Sequence, residues 1–389
     1  MRRMQARTPL QRARTATLIA FATNGAMPAT LLARYAEVKD LLGLDTAAFG
    51  LLVVGSVLGA VGSLHLPGAI LRRIGSRWTA SAGTAWAAAA LVLAATGVAW
   101  GNPWVFLAGI VLGGFADAVV DVAQNAHGLR VQEAYGRSLL SSMHAGWSIG
   151  AAIGGLAGTA AASAGVPLPV HLGAWGLLCT VVMAWSCRAF LPDARGGAGG
   201  EQGHGRLGWR AAWLLAPLAL VALAGFAVED IGNNWSAVLL ATERGVPVAN
   251  AGIGLSVLLG AQFAGRLLGD RFIDRVGNRP ALVTSLGLVA VGLLISAWAP
   301  GPVPTLAGLA LAGLGCAITV PLAFAGADAV RGLRPHDGVT WIGWVMRAAS
   351  IGLSPAIGAV AMVASLPLAL SLVSLLAILA LAVQARAPR

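Results

Sequence analysis

The stretch LRRIGSR, Leu71 to Arg77, returns 202 residues later as IDRVGNR, Ile273 to Arg279. Arg73, Gly75 and Arg77 fall on Arg275, Gly277 and Arg279, and each copy follows a glycine-bearing apolar run. A second pair, AGIVLGG (Ala108 to Gly114) and AGLALAG (Ala307 to Gly313), recurs at an offset of 199. Self-similarity at a fixed long period is the mark of an internal repeat, so the chain reads as two copies of one unit in the same orientation.

The residues around these copies are those of a membrane protein. The 389 residues are 57% hydrophobic and 11% charged, with a mean hydropathy of +0.78. A hydrocarbon core about 30 Å thick takes roughly 20 apolar residues per helical crossing. Twelve stretches meet that need: 15–36, 46–66, 78–99, 103–129, 140–164, 168–190, 211–241, 248–268, 280–299, 303–327, 338–362 and 364–384. The longest polar interruption, LPDARGGAGGEQGHGRLGWR from Leu191 to Arg210, separates six from six. Its glycines read as a flexible linker, and it lacks the GK[ST] ending of a phosphate-cradling loop. The expected organisation is all-α: a six-helix half at 1–190, a cytoplasmic linker at 191–210 and a second half at 211–389.

Charge sets the orientation. The net charge is +11. Of the 26 Lys and Arg, only Arg34, Lys39 and Arg244 fall in outer segments when the amino terminus is placed inside, and Arg266 and Arg347 lie in or at the edge of spans. The rest occupy alternate, cytoplasmic gaps, as the positive-inside rule requires. The basic balance is therefore topology and not nucleic-acid binding, and both termini are expected on the cytoplasmic side of the cytoplasmic membrane. The basic amino terminus and its apolar run read as an uncleaved first helix. Cys179, Cys187 and Cys316 lie in apolar spans without His or acidic companions at metal spacing, so no metal, cofactor or disulfide framework is expected. No nucleophile with its base marks an enzyme.

With these features in place, the chain resembles the major facilitator superfamily of secondary transporters over essentially its whole length. The basic loop after the second span, echoed after the eighth, is similar to that family's GxxxDRxGR gating motif. DVAQN (Asp121 to Asn125), GR followed by SSMHAGWSIG (Gly136 to Gly150), EDIGNNWSAVLL (Glu229 to Leu240) and GRLLGDRFIDRVG (Gly265 to Gly277) resemble a bacterial branch near the fucose and related sugar permeases. Three positions depart from the pattern: Arg72 stands where the loop motif has Asp, Gln132 where the branch has an acid, and Gly155 where an antiporter motif has proline. The resemblance implies two six-helix bundles related by a pseudo-two-fold axis along the membrane normal. It also implies a single chain moving a small molecule by alternating access, with sugar or polyol uptake as the leading substrate class, and the carboxylates within the spans point to protons as coupling ion. Efflux of amphiphilic or cationic compounds is the transport alternative, and a transport-inactive sensor or scaffold the alternative of another class.

Ionisable groups inside a bilayer are costly and mark a polar cavity or a partner. Asp117 and Asp121 stand at i and i+4 on the fourth span, with Gln124 and Asn125 continuing that face; Asp121 is either a coupling carboxylate or the partner of Arg130 or Arg137. On the seventh span, too long for one straight crossing, Gly225, Gly232, Asn233 and Asn234 point to an unwound outer half. Glu229 precedes that break as a candidate for substrate or proton binding, or for an outer-gate hydrogen bond, while Asp230 is expected nearer the mouth. Trp235 is a stacking surface or an interfacial anchor. Asn24, Gly25 and Pro28 mark a break in the first span, Asn24 being a hydrogen-bonding candidate. Arg34 closes the outer gate by resemblance, or snorkels. His144 and Arg347 occupy similar points of their halves, either facing the cavity or, respectively, packing and pairing with Asp337 or Asp328. By resemblance, Asp274 and Arg275 latch the start of the fifth span, while Arg72, Arg73 and Arg77 form the first-half counterpart, with Arg73 and Arg72 directed at Asp337. Gly146, Gly150, Gly154 and Gly158 repeat every four residues and are expected to pack between halves, against the eighth span.

Overall fold

The computed structural model describes residues 8–63, 66–136, 139–193, 209–328, 330 and 337–386. All regular structure among them is helical. In the first half, α1 (Pro9–Leu32) and α2 (Tyr35–Leu41) make the first crossing, followed by α3 (Thr46–Gly62), α4 (Leu66–Ala99), α5 (Pro103–Tyr135), α6 (Leu140–Ser163) and α7 (Leu168–Ser186). In the second, α8 (Trp209–Asp230) and α9 (Ser236–Glu243) make the seventh crossing, and α10 (Ile253–Val276), α11 (Asn278–Trp298), α12 (Pro302–Cys316) with α13 (Thr319–Asp328), α14 (Asp337–Val363) and α15 (Leu366–Arg386) supply the rest. Ten of these crossings are long and apolar enough to traverse a bilayer by length and composition. The other two are the 17-residue α3 and α6, whose 24 residues are rich in Gly, Ala and Ser. The chain is a twelve-helix, multi-pass membrane protein.

The repeat is present in the backbone. Gly75 leaves the helix at φ 77°, ψ 165°, and Gly277 does so at φ 87°, ψ 163°. Only glycine adopts this region without strain, and the match explains why both motif copies keep that residue. The second repeat pair works in the same way: a Cβ on Gly109 would meet the Ala94 backbone, and one on Gly308 would meet the Ser296 backbone. Each glycine thus lets the fourth crossing of its half lie directly against the third.

The contacts divide the chain into two compact units, one of Met1–Leu31 with Gly55–Gly200 and one of Leu32–Val54 with Glu201–Arg389. Segment 32–54, which lies in the first half by order, is packed within the second unit. Ala36 is buried with Ala237, Leu240 and Ala251. Phe49, fully buried, meets the ring of Tyr35 edge-on at 5.4 Å and that of Trp235 at 5.9 Å. Edge-to-face rings of this kind combine apolar burial with a favourable quadrupole arrangement.

Within the first unit, the glycine face of α6 rests on α1. Cβ atoms on Gly150 and Gly154 would collide with the carbonyl oxygens of Ala22 and Ala26, and one on Gly146 would lie 3.3 Å from that of Leu18. The four-residue step on α6 matches a four-residue step on α1, and this corrects the expectation that the face packs against the eighth span. The break expected around Pro28 is also displaced. Helix α1 runs through Pro28 to Leu32, and the chain turns at residues 33–34 before α2.

Candidate functional site

The polar side chains within the crossings gather in separate clusters, each inside one unit. In the second unit the seventh crossing carries the main one. Its helix does not unwind: Ile231–Trp235 forms a π-helical turn between α8 and α9. A wider turn takes up the extra residue while keeping backbone hydrogen bonds internal, which a bilayer demands and an unwound stretch does not provide. Gly232 admits Leu258 beside this turn, and the Ser236 hydroxyl donates to the Gly232 carbonyl at 2.6 Å.

Glu229 ends the regular part of α8 and is half-buried. Its Oε1 accepts from Arg266 Nη2 at 3.0 Å and from Gln262 Nε2. Gln262 and Arg266 are i and i+4 on α10, hence on one face. Gln262 is fully buried, its amide also reaches Cys316 Sγ at 3.5 Å, and its Oε1 has no donor among the described residues. The adjacent Asp230 points about 100° further round the helix. It is 7% exposed and lies against α14. Ser354 Oγ donates to its Oδ2 at 2.7 Å and Asn234 Nδ2 to its Oδ1 at 3.0 Å. Asn234 Nδ2 also reaches Ser354 Oγ at 3.1 Å, and Trp235 Nε1 donates to the same oxygen at 3.2 Å. Trp235 is fully buried, so its ring faces neither headgroups nor an open cavity.

In the first unit, Asn24 on α1 is buried and its side chain lies beside the half-buried Asp117 of α5. Asp121 is exposed and is satisfied from its own helix, accepting from Asn125 Nδ2 at 2.9 Å and Gln124 Nε2 at 3.2 Å. Arg130 is not its partner. The guanidinium instead contacts Asp193 at 2.7 Å and donates to Ser76 Oγ at 2.6 Å. The Asp193 carboxylate also accepts from the Ser76 backbone N–H at 3.1 Å and from its hydroxyl at 2.8 Å, capping the helix that starts after Gly75. Carboxylates at a helix start meet orphan N–H groups and the positive end of the dipole.

Next to this cap, fully buried His127 stacks on Phe190, with ring centroids 3.7 Å apart. Leu191 N–H donates to its Nε2 at 2.8 Å, and its Nδ1 lies 3.0 Å from Thr17 Oγ1. The Thr17 hydroxyl already donates to the Ala13 carbonyl at 2.8 Å. Those partners assign a neutral ring with its proton on Nδ1. Residues 191–193, read from sequence as the start of the linker, are thus a fastened part of the first unit, together with Phe190.

The remaining candidates are dispersed. Arg34 is buried and pairs bidentately with Glu37, at 2.6 and 2.7 Å, so it does not snorkel. His144 is exposed and sets its ring edge-on to Phe21 at 5.1 Å. Arg347 is exposed, and its guanidinium makes no ion pair among the described residues. Arg72, Arg73 and Arg77 are exposed, Arg77 lying over the Trp78 ring at 5.4 Å. Asp274 and Arg275 are exposed and in no ion pair among the described residues. The side chain of Asp337, and with it the expected pairing to Arg73 and Arg72, lies outside the described residues, as does linker segment 194–208. Sequence reasoning passed over Gln262, Arg266, Asp230 and Ser354 as partners, although the i, i+4 spacing of Gln262 and Arg266 in an apolar helix was a usable signal.

Comparison with known proteins agrees with this architecture. Residues 15–332 match the Major Facilitator Superfamily. An uncharacterised MFS-type transporter of Yersinia pestis is 28% identical over 354 residues, covering 90% of this chain and 88% of that protein. Among solved structures, a mutant of the nucleoside transporter NupG superposes with a TM-score of 0.73 at 16% identity, covering 97% of this chain and 99% of that one. The E. coli fucose:proton symporter FucP does so with a TM-score of 0.57 at 16% identity, covering 98% and 99%. Likeness at that identity is a likeness of fold.

Proposed function

The chain belongs to the major facilitator superfamily, and from that premise we propose that it takes up a small, hydroxyl-rich solute by alternating access, driven by protons across the cytoplasmic membrane. The family and fold are those of secondary transporters of small solutes, not of enzymes. The observation that carries the finer reading is the Glu229–Arg266–Gln262 cluster. Here a half-buried carboxylate, itself a proton acceptor, engages the two donors a polar solute would use. Protonating Glu229 removes the charge that attracts Arg266 and weakens its hold on both donors, so protonation favours solute oxygens at Arg266 and Gln262, the sign required for symport. The unpartnered Gln262 Oε1 supplies a complementary acceptor for a hydroxyl. Two fold neighbours, a nucleoside transporter and a fucose:proton symporter, are transporters of hydroxyl-bearing solutes.

Efflux of cations calls for uncompensated acids. Glu229 is compensated by Arg266, and that ion pair favours a neutral polar solute, whereas Asp230 is met only by the neutral Ser354 and Asn234. The first test is thermal stability of the purified protein against sugars, polyols, organic anions and lipophilic cations. A ligand at 100 times its Kd stabilises by about 2.7 kcal/mol. Sugar or polyol hits are expected. Hits confined to cations, and lost in Glu229→Gln, would replace this reading with efflux. With a solute in hand, Glu229→Gln, fixed in a protonated-like state, is expected to keep counterflow in proteoliposomes and to lose proton-driven accumulation.

A further inference from the structure

We propose that a groove between the basic ends of the first and sixth crossings is a binding site for an anionic phospholipid. The groove has a volume of about 300 Å³ and is lined by α1 residues Arg12, Thr15, Ala16 and Ile19 and by Trp185, Ser186, Arg188 and Ala189 after them in space. Its floor, Ala16, Ile19 and Ala189, is apolar. Both hydroxyls in it are already engaged, Thr15 with the Gln11 carbonyl at 3.1 Å and Ser186 with that of Met183 at 3.0 Å. The donor capacity left to a ligand is therefore that of the two guanidiniums of Arg12 and Arg188, both exposed and neither in an ion pair or side-chain hydrogen bond among the described residues.

An apolar trough with two free cations at its rim is complementary to an amphiphile with a hydrocarbon body and an anionic head. It does not suit a neutral polar solute, whose oxygens would find no free hydroxyl proton. Trp185 marks the depth. It is 62% exposed on the outside of the sixth crossing, one turn into the span from Arg188. Exposed tryptophans of membrane proteins settle at the headgroup boundary, which puts the arginines at the level of lipid phosphates. Basic pockets between crossing helices select anionic headgroups on these grounds. The groove lies entirely within the first unit, so the proposal stands or falls independently of the transport cluster.

The test is native mass spectrometry of the full-length protein released from nanodiscs containing phosphatidylcholine with phosphatidylglycerol, comparing wild type, Arg12→Gln/Arg188→Gln and Arg12→Lys/Arg188→Lys. At about 1 kcal/mol per cation, the double Gln variant should retain phosphatidylglycerol about 30-fold less well, at 1.4 kcal/mol per tenfold. The double Lys variant should stay near wild type, and phosphatidylcholine retention should not change. Equal retention of both lipids by wild type, or unchanged phosphatidylglycerol retention in the double Gln variant, would overturn the site. So would stabilisation by inorganic phosphate in pure phosphatidylcholine discs equal to that by phosphatidylglycerol, since the cations would then hold a free anion only. Should the double Gln variant not fold, Arg188→Gln alone carries the test, with an expected loss of about fivefold.

Discussion

At Gly75 and Gly277 the two halves make the same backbone turn, yet they fasten it with opposite chemistry. In the first half an acid at the end of the sixth crossing, Asp193, reaches back to the N–H of Ser76 and to Arg130. In the second half a base at the start of the ninth crossing, Arg279, reaches forward to the carbonyl oxygens of Gln384 and Ala385 at the end of the twelfth, at 3.2 and 2.7 Å. Each fastener ties the third helix of its half to the sixth. Backbone conformation has been kept between the copies because only glycine satisfies it, whereas the polar tie can be made from either partner. The first copy lacks the motif acid at Arg72, and the acid that serves its loop arrives from the far end of the half.

The comparison breaks most easily at the glycines. Gly75→Ala is expected to cost about 3 kcal/mol or more, since backbone strain of 1–3 kcal/mol is joined by displacement of Asp193, whose carboxylate occupies the Cβ position. Gly277→Ala meets only the strain, because the nearest atom to its Cβ is Pro280 Cδ at 3.9 Å. Apparent Tm in detergent should therefore fall further for Gly75→Ala, and the reverse order would refute the account of Asp193 as a cap. Next in size is His127→Ala. It leaves the Leu191 N–H without its acceptor, at about 1–3 kcal/mol, and should make the chain near residue 191 more open to proteolysis than wild type. Asp193→Asn comes third, at about 1 kcal/mol, because the pair is partly exposed. Arg279→Gln should be the mildest at well under 1 kcal/mol, as its partners are neutral carbonyls at the surface. Equal losses for Asp193→Asn and Arg279→Gln would mean the two fasteners are interchangeable in strength as well as in place.

How far each feature was legible from residues follows from the range of the interaction behind it. The repeat at LRRIGSR and IDRVGNR, the twelve apolar runs and the basic gaps needed only local composition, since crossing a bilayer is paid segment by segment in hydrophobic length. Asp117 and Asp121 were visible as acids on one helix face, and Glu229 as an acid beside an irregular turn. Their partners were not visible, because partner choice depends on how helices rotate about their axes. One position further along α8 turned Asp230 under α14 to Ser354, and Arg266, noted as a charge at a span, became the counter-ion of Glu229. Leu191 to Asp193 looked like linker because glycine follows closely; their fastening comes from His127 and Arg130 of α5 and Ser76 of α4, distant in sequence.

Class, number of crossings and internal symmetry are therefore written in the residues, since each rests on short-range hydrophobicity and on glycines that no other residue can replace in their backbone state. The pairing of charges, the seat of Trp235 and the assignment of residues 32–54 to the second unit arise from helix packing. There the burial of whole apolar faces sets the rotation of each helix, and the polar groups bond with whatever that rotation brings within reach.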